Sequence, residues 1–196
     1  MKLTEDISPQ LHDIGSKIQR AIRSNPDDQN ASGWGQFLDA EGHKEQIGPY
    51  GTCGAVLFGR ILEPSIPVSE KVACQIEKFW SDPAESEKLR SQNVRVAFLV
   101  FSLSGTQNEK LKLILTKAVD VLKARQRGNG FWGDWSNGAN DASAPPRQET
   151  TAWILLALHR EGSATETVTK AQQYLSSFIA PHGAHSEYQI LLRQFC

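Results

Sequence analysis

The 196-residue sequence lacks the features that mark several large classes of protein. Its 21 basic and 22 acidic side chains nearly cancel, so nothing favours electrostatic binding to nucleic acid or to an anionic membrane. The longest apolar run, 94–103, is interrupted by Arg95 and Ser102 and is too short to span a bilayer. The N-terminal residues include no apolar stretch of the signal-peptide type.

Residues that bind metals are also sparse. The three cysteines, Cys53, Cys74 and Cys196, cannot all pair, and none has the CxxC spacing of a metal site. The five histidines show no HxxxH or HxH ligand pattern. The sequence therefore predicts no metal and no cofactor, and it predicts a reducing, cytoplasmic setting.

What the sequence does contain is helical periodicity along most of its length. Stretches with one apolar stripe alternate with stretches that are apolar on most sides, and no stretch alternates like a strand. The pattern predicts an all-α single domain, 1–196, of four helical hairpins at about 8–64, 67–105, 108–162 and 165–196. Outer helices with one wet face and inner helices with none are typical of a two-layer ring or open arc.

Two glycine–tryptophan loops, 33–35 and 130–133, repeat within this pattern. Trp34 and Trp132 lie 98 residues apart, and each follows an amphipathic stretch and precedes a more apolar one that opens with threonine. Gln126 ends the stretch before the second loop, and Gly130 lies inside that loop. The spacing indicates a duplicated helical unit.

These motifs resemble a known family. The segment 117–135, KAVDVLKARQRGNGFWGDW, is similar to the QW repeat of squalene and oxidosqualene cyclases, with Gln126, Gly130 and Trp132 in the places of its glutamine, glycine and tryptophan. Tyr50-Gly51-Thr52 and the segment 148–153 are similar to inner-helix openings of these cyclases and of protein prenyltransferase β subunits. The resemblance implies a partial or open α/α-toroid-like array of hairpins.

The residues of the repeat motif have a structural reason to be present. A glutamine can bond free backbone groups at helix ends, a tryptophan buries a large surface at a turn, and glycines permit close approach. We therefore expect Trp34, Gln126, Gly130 and Trp132 to hold hairpins together and not to contact a ligand.

The chemical residues that the resemblance implies are missing. Squalene-type cyclases protonate their substrate with a DxDD acid, and this sequence has no DxDD; the pair Asp27-Asp28 follows Pro26 and is typical of a turn. Prenyltransferases bind zinc through aspartate, cysteine and histidine. In the segment 50–53, which resembles theirs, Gly51 stands in the place of the histidine, so we predict no zinc site.

Two carboxylates remain as candidate catalytic residues. Glu149 opens the most apolar helix, where burial would make it an acid, although a first-turn carboxylate is also favoured by the helix dipole. Asp134 flanks the second tryptophan loop, as does Asp141, and both positions suit turn-forming residues. With Glu149, three aromatic residues mark the expected ligand site: Tyr50, Trp135 and Trp153.

Three functions compete. The favoured hypothesis is a non-catalytic α/α-toroid-like module that engages a protein partner or a larger assembly. The alternative is an isoprenoid-processing enzyme of the terpene cyclase or prenyltransferase type, with an apolar isoprenoid ligand in the toroid cavity. A more distant option is a saccharide-acting toroid that uses Glu149 with Asp134 or Asp141. The apolar pattern at 191–196 adds the expectation of a protein partner or a homo-oligomer.

Overall fold

The computed structural model of the protein describes residues 8–35, 46–62, 68–135, 147–162 and 165–179. Within these ranges it contains eight helices and one two-stranded antiparallel sheet. In chain order the elements are α1 (Ser8–Arg20), β1 (Arg23–Asn25), β2 (Asp28–Gly33), α2 (Pro49–Leu62), α3 (Glu70–Ser81), α4 (Pro83–Arg90), α5 (Asn93–Leu103), α6 (Glu109–Ala124), α7 (Gln148–Glu161) and α8 (Thr165–Ile179).

The predominance of helix confirms the coarse prediction. The helix α5 begins and ends at the predicted residues, and each of its side chains is buried or half-buried, as an inner helix requires. The helix α7 ends at Gly162, as predicted, and this residue has the left-handed backbone conformation, with a φ of 70°, that glycine adopts readily. No helix in the described ranges is long and apolar enough to cross a membrane.

The hairpin β1–β2, between α1 and α2, corrects the prediction of a chain without strands. Side chains fold the chain back on itself here: the Asn25 side-chain oxygen accepts from the Asp27 N–H at 2.9 Å, and the Asp28 carboxylate accepts from the Asn30 N–H at 3.0 Å. The residues that make these contacts are polar, so the sequence here lacks the alternation of apolar and polar residues that is typical of a strand. Periodicity alone therefore does not reveal the hairpin.

The short helix α4 is a second correction, because the sequence predicts no helix between α3 and α5. Asp82 caps it by accepting from the N–H groups of Ala84 and Glu85 at 3.0 and 3.1 Å, and Pro83 occupies its first position. Leu89 is its one buried residue, so it carries no apolar stripe. The predicted hairpin 67–105 thus contains three helices.

The chain divides into two compact units. One holds the described part of Met1–Leu89 together with Thr106–Ile114, and the other holds Arg90–Gly105 with the described part of Leu115–Cys196. In the first unit α1 packs on α2, α2 on α3, and β2 on α3; in the second α5 packs on α7, and α7 on α8.

Two segments each contain three successive helices, and we name them the first repeat (α1, β1, β2, α2 and α3) and the second repeat (α6, α7 and α8); the strands occur only in the first. Each places a tryptophan loop between an amphipathic helix and a more apolar one. The end of the predicted fourth hairpin, 180–196, lies outside the described residues, as does Asp141.

Candidate functional site

Trp34 joins α1 to the start of α2 in the first repeat. Its indole Nε1 donates to the carbonyl of Ile18 at 2.7 Å, and its backbone N–H donates to the Thr52 hydroxyl at 3.1 Å. That hydroxyl in turn donates to the Trp34 carbonyl at 3.3 Å, and the Gly48 N–H donates to the same carbonyl at 3.0 Å. The indole N–H, the backbone N–H and the backbone carbonyl of Trp34 are thus all hydrogen-bonded within the first repeat.

Trp132 makes the same set of hydrogen bonds in the second repeat. Its indole Nε1 donates to the carbonyl of Leu122 at 2.8 Å, and its backbone N–H donates to the Thr151 hydroxyl at 3.1 Å. Thr151 and the Arg147 N–H both donate to the Trp132 carbonyl at 3.4 Å. The Trp132 side chain has no exposed surface, so a ligand cannot reach it without opening the repeat.

Gln126 ties the second tryptophan loop to the next helix. Its side-chain amide donates to the Gly130 carbonyl at 3.1 Å and to the Thr167 carbonyl, in the first turn of α8, at 2.8 Å. Gly130 has a φ of 94°, and a Cβ there would lie 2.3 Å from the Lys170 carbonyl oxygen. Only glycine allows this approach of the loop to α8.

Asp134 is held at the start of α7 by two donors. The Thr150 hydroxyl donates to one carboxylate oxygen at 2.5 Å, and the Arg147 guanidinium pairs with the other at 3.0 Å. Both partners are half-exposed or exposed, so the ion pair is a modest contributor to stability. The arrangement suits a carboxylate that positions the first turn of α7.

Glu149, the other candidate acid, lies in the first turn of α7 with its side chain exposed. Solvent contact removes the burial that its proposed role as an acid depends on. An acidic residue at this place also interacts favourably with the helix N-terminus, and this interaction is a structural reason for an acidic residue at position 149.

The three aromatic residues expected to line a ligand site have different environments. Trp153 is half-buried and packs against Phe98 of α5, with ring centroids 5.0 Å apart. Trp135, at 59%, and Tyr50, at 42%, are among the exposed large apolar side chains of the described chain. Trp135 and Trp153 belong to the second compact unit with Asp134 and Glu149, whereas Tyr50 belongs to the first.

Gly51 leaves no space for the histidine of a prenyltransferase zinc site. A Cβ at this position would lie 1.9 Å from the Gly35 carbonyl oxygen, and backbone atoms cannot move away as a flexible side chain can. Within the described ranges no cluster of three His, Cys, Asp or Glu side chains has the arrangement of a metal site. Cys53 beside it is buried and forms no disulfide.

A further polar network at the start of α5 has no counterpart in the sequence prediction. The Asn93 side-chain amide donates to the Gly133 carbonyl at 2.8 Å, and its oxygen accepts from the Arg125 guanidinium at 3.0 Å. Arg125 also donates to the Arg90 carbonyl at 2.9 Å. Burial, and then repulsion from the Arg90 charge, lowers the pKa of Arg125. The network connects loops far apart in sequence, which periodicity cannot detect.

Comparison of the chain with protein-family models, with curated proteins and with solved structures finds no match. The similarity to cyclase repeats therefore rests on the motif residues themselves. The hydrogen bonds of the two tryptophan loops give those residues a function within the fold that requires no ligand.

Proposed function

We propose that this protein is a non-catalytic α/α-toroid-like module that binds a protein partner. The observation that carries the proposal is an apolar face on α1 that the described chain leaves open. Leu11 and Ile14 are each 40% exposed. Counted from the carbonyls that accept the indole N–H groups, their counterparts in α6 are Leu115 and Ala118, and both are buried.

The state of the candidate catalytic groups supports the same proposal. Asp134 is engaged by Thr150 and Arg147, and Glu149 is exposed, so neither carboxylate has the desolvated position of a buried acid. Cys53 and Cys74 form no disulfide, which suits the proposed cytoplasmic setting. An exposed pair of large aliphatic side chains one turn apart is instead available to pack against another protein.

Photo-crosslinking from the α1 face tests this function. A benzophenone side chain placed at position 14 should capture one partner in cells, because that partner would cover the face. The same group at position 113 serves as the control, since Leu113 is 58% exposed but no other large apolar side chain of α6 is exposed. Sedimentation velocity of the purified chain shows whether the partner is a second copy.

The captured partner should bind the purified protein in a titration. The double substitution Leu11→Glu, Ile14→Glu should weaken that binding by at least about tenfold, whereas Leu113→Glu should leave it unchanged. The function proposed is wrong if position 14 captures nothing beyond what position 113 captures, or if the double variant binds as well as the wild type.

The enzymatic alternative draws its support from the half-buried pair Phe98 and Trp153, since aromatic faces can stabilise carbocations. Mass spectrometry of a solvent extract of the natively purified protein tests it. A stoichiometric isoprenoid that is lost in the Trp153→Arg, Glu149→Ala double variant would favour the enzyme. Absence of such a compound, with both proteins folded, would favour the binding module.

A further inference from the structure

The first repeat contains an apolar cavity of about 240 Å³ between α1, α2 and the start of α3. Its wall is formed by Trp34 and by small and aliphatic residues: Ile18, Ile22, Ala55, Val56, Gly59, Val68 and Val72. Two polar side chains, Gln19 and Ser69, complete the lining, and both are exposed. The wall is therefore mainly apolar, and the exposed lining residues are Ile22, Gln19 and Ser69.

The second repeat is filled at the positions where the first is open. Thr52 and Thr151 bind their tryptophans in the same way, so they align α2 with α7 residue by residue. Counted from them, Ala55 corresponds to Ile154, Val56 to Leu155 and Gly59 to Leu158. The three α7 residues are buried and together carry eight more side-chain carbon atoms than the α2 residues.

Gly59 has no backbone reason to be glycine. It lies inside α2 without a positive φ, and a Cβ built on it would meet no atom within 4 Å. Glycine in a helix interior is less favourable than alanine by about 1 kcal/mol. By contrast, a Cβ at Gly33 or Gly51 would collide with neighbouring atoms. Because glycine has no side chain, position 59 leaves open part of the space that forms the cavity.

We infer that this cavity is a binding site for a compact apolar molecule with at most one polar group, and this inference does not depend on the proposed protein partner. An enclosed apolar cavity of about 150 Å³ binds benzene or xenon, and this open one of about 240 Å³ has room for a bicyclic or branched hydrocarbon of roughly ten non-hydrogen atoms. Gln19 and Ser69 are the lining residues able to hydrogen-bond a ligand hydroxyl or carbonyl, and the Ser69 hydroxyl, which accepts from the Val72 N–H at 3.4 Å, keeps its own proton to donate.

Xenon and 2-naphthol test the site in the full chain. Under xenon pressure, the methyl resonances of Ala55, Val56 and Val72 should shift saturably, and 2-naphthol should compete with the gas. The substitution Gly59→Leu, which copies Leu158, should abolish the xenon shifts and weaken 2-naphthol binding by at least about tenfold. Ala55→Ile, which copies Ile154, gives a second filled variant if the first does not fold.

Gly54→Ala is the matched control, because Gly54 also lies in α2 with no atom within 4 Å of a built Cβ, but it does not line the cavity. It should bind both probes as the wild type does. Absence of saturable xenon shifts in the wild type would overturn the inference. So would 2-naphthol binding that a folded, filled variant retains, because the probe would then occupy another place.

Discussion

The two repeats share one set of hydrogen bonds and differ in how the space around them is filled. In both, an indole N–H reaches a carbonyl of the preceding helix and a threonine hydroxyl binds the tryptophan backbone, at distances that agree within 0.1 Å. Yet the second repeat has three larger, buried side chains at the positions where the first keeps an apolar cavity beside Trp34. The tryptophan–threonine geometry is therefore independent of the packing around it, which leaves the packing free to change.

The largest effect should come from removing the buried tryptophan of the filled repeat. Trp132→Ala deletes a fully buried side chain and should lower the free energy of unfolding by about 3–5 kcal/mol. Trp34→Ala should cost less, because part of its ring already faces a cavity. Urea denaturation followed by circular dichroism measures both, and equal losses would mean that the cavity does not weaken the packing of Trp34.

Removing the threonine hydroxyl should have the next largest effect. Thr151→Val preserves the shape of the side chain but leaves the buried Trp132 N–H without its acceptor, at a cost of about 1–3 kcal/mol. Thr52→Val should cost about the same in the first repeat, since the two hydrogen-bond sets match. The Thr151→Ser and Thr52→Ser variants keep the hydroxyl, so each should lose much less stability than the corresponding Val variant. An equal loss would assign the effect to packing of the methyl group.

The helical part of this architecture is predictable from sequence because it follows from local periodicity. The bounds of α5 and the stop at Gly162 depend on residues that are close in the chain. The tryptophan loops are also recognisable in the sequence, because each contains a tryptophan between glycines. The hairpin β1–β2 and α4 escape prediction because each depends on one side-chain cap, Asn25 or Asp82, although Asn-Pro and Asp-Pro are the available signals.

The candidate site is less predictable than the helices. Whether Glu149 is buried depends on what lies around the start of α7, and no pattern within α7 reports it. The same holds for the cavity, because Gly59 and Ile18 approach one another only after α1 and α2 pack. Alignment of the two repeats through their threonines is the sequence signal that could have found it, since glycine then stands opposite leucine.

Gln126 gives a smaller test of the difference between the repeats. Four residues after the carbonyl that accepts the indole N–H, the second repeat has Gln126 and the first has Ile22. Gln126→Ile should remove two hydrogen bonds to carbonyls and lower the free energy of unfolding by about 1–2 kcal/mol. Hydrogen exchange should then quicken in the first turn of α8. Unchanged exchange there would show that the hydrogen bond from Gln126 to Thr167 does not stabilise the first turn of α8.

Gly59→Ala should change stability by less, and in the opposite direction. The added methyl group meets no atom and replaces glycine inside a helix, so the free energy of unfolding should rise by about 0.5–1 kcal/mol. Gly54→Ala in the same helix should give a gain of the same kind. A loss of stability in Gly59→Ala alone, measured by urea denaturation, would show that the cavity wall adapts poorly to added volume.

The smallest effect concerns two exposed ion pairs at unrelated positions, Asp13–Lys17 in α1 of the first repeat and Glu166–Lys170 in α8 of the second. In each, the hydrogen bond from the lysine lowers the pKa of the carboxylate. A carboxylate with a lowered pKa contributes stability that is present above its unfolded pKa and is lost as the pH falls through its folded pKa. Lys170→Met should therefore raise the pKa of Glu166 towards its ordinary value in an NMR titration. Because the pair is exposed, the melting temperature at neutral pH should barely change, and a clear drop would mean that the pair holds α8 in place.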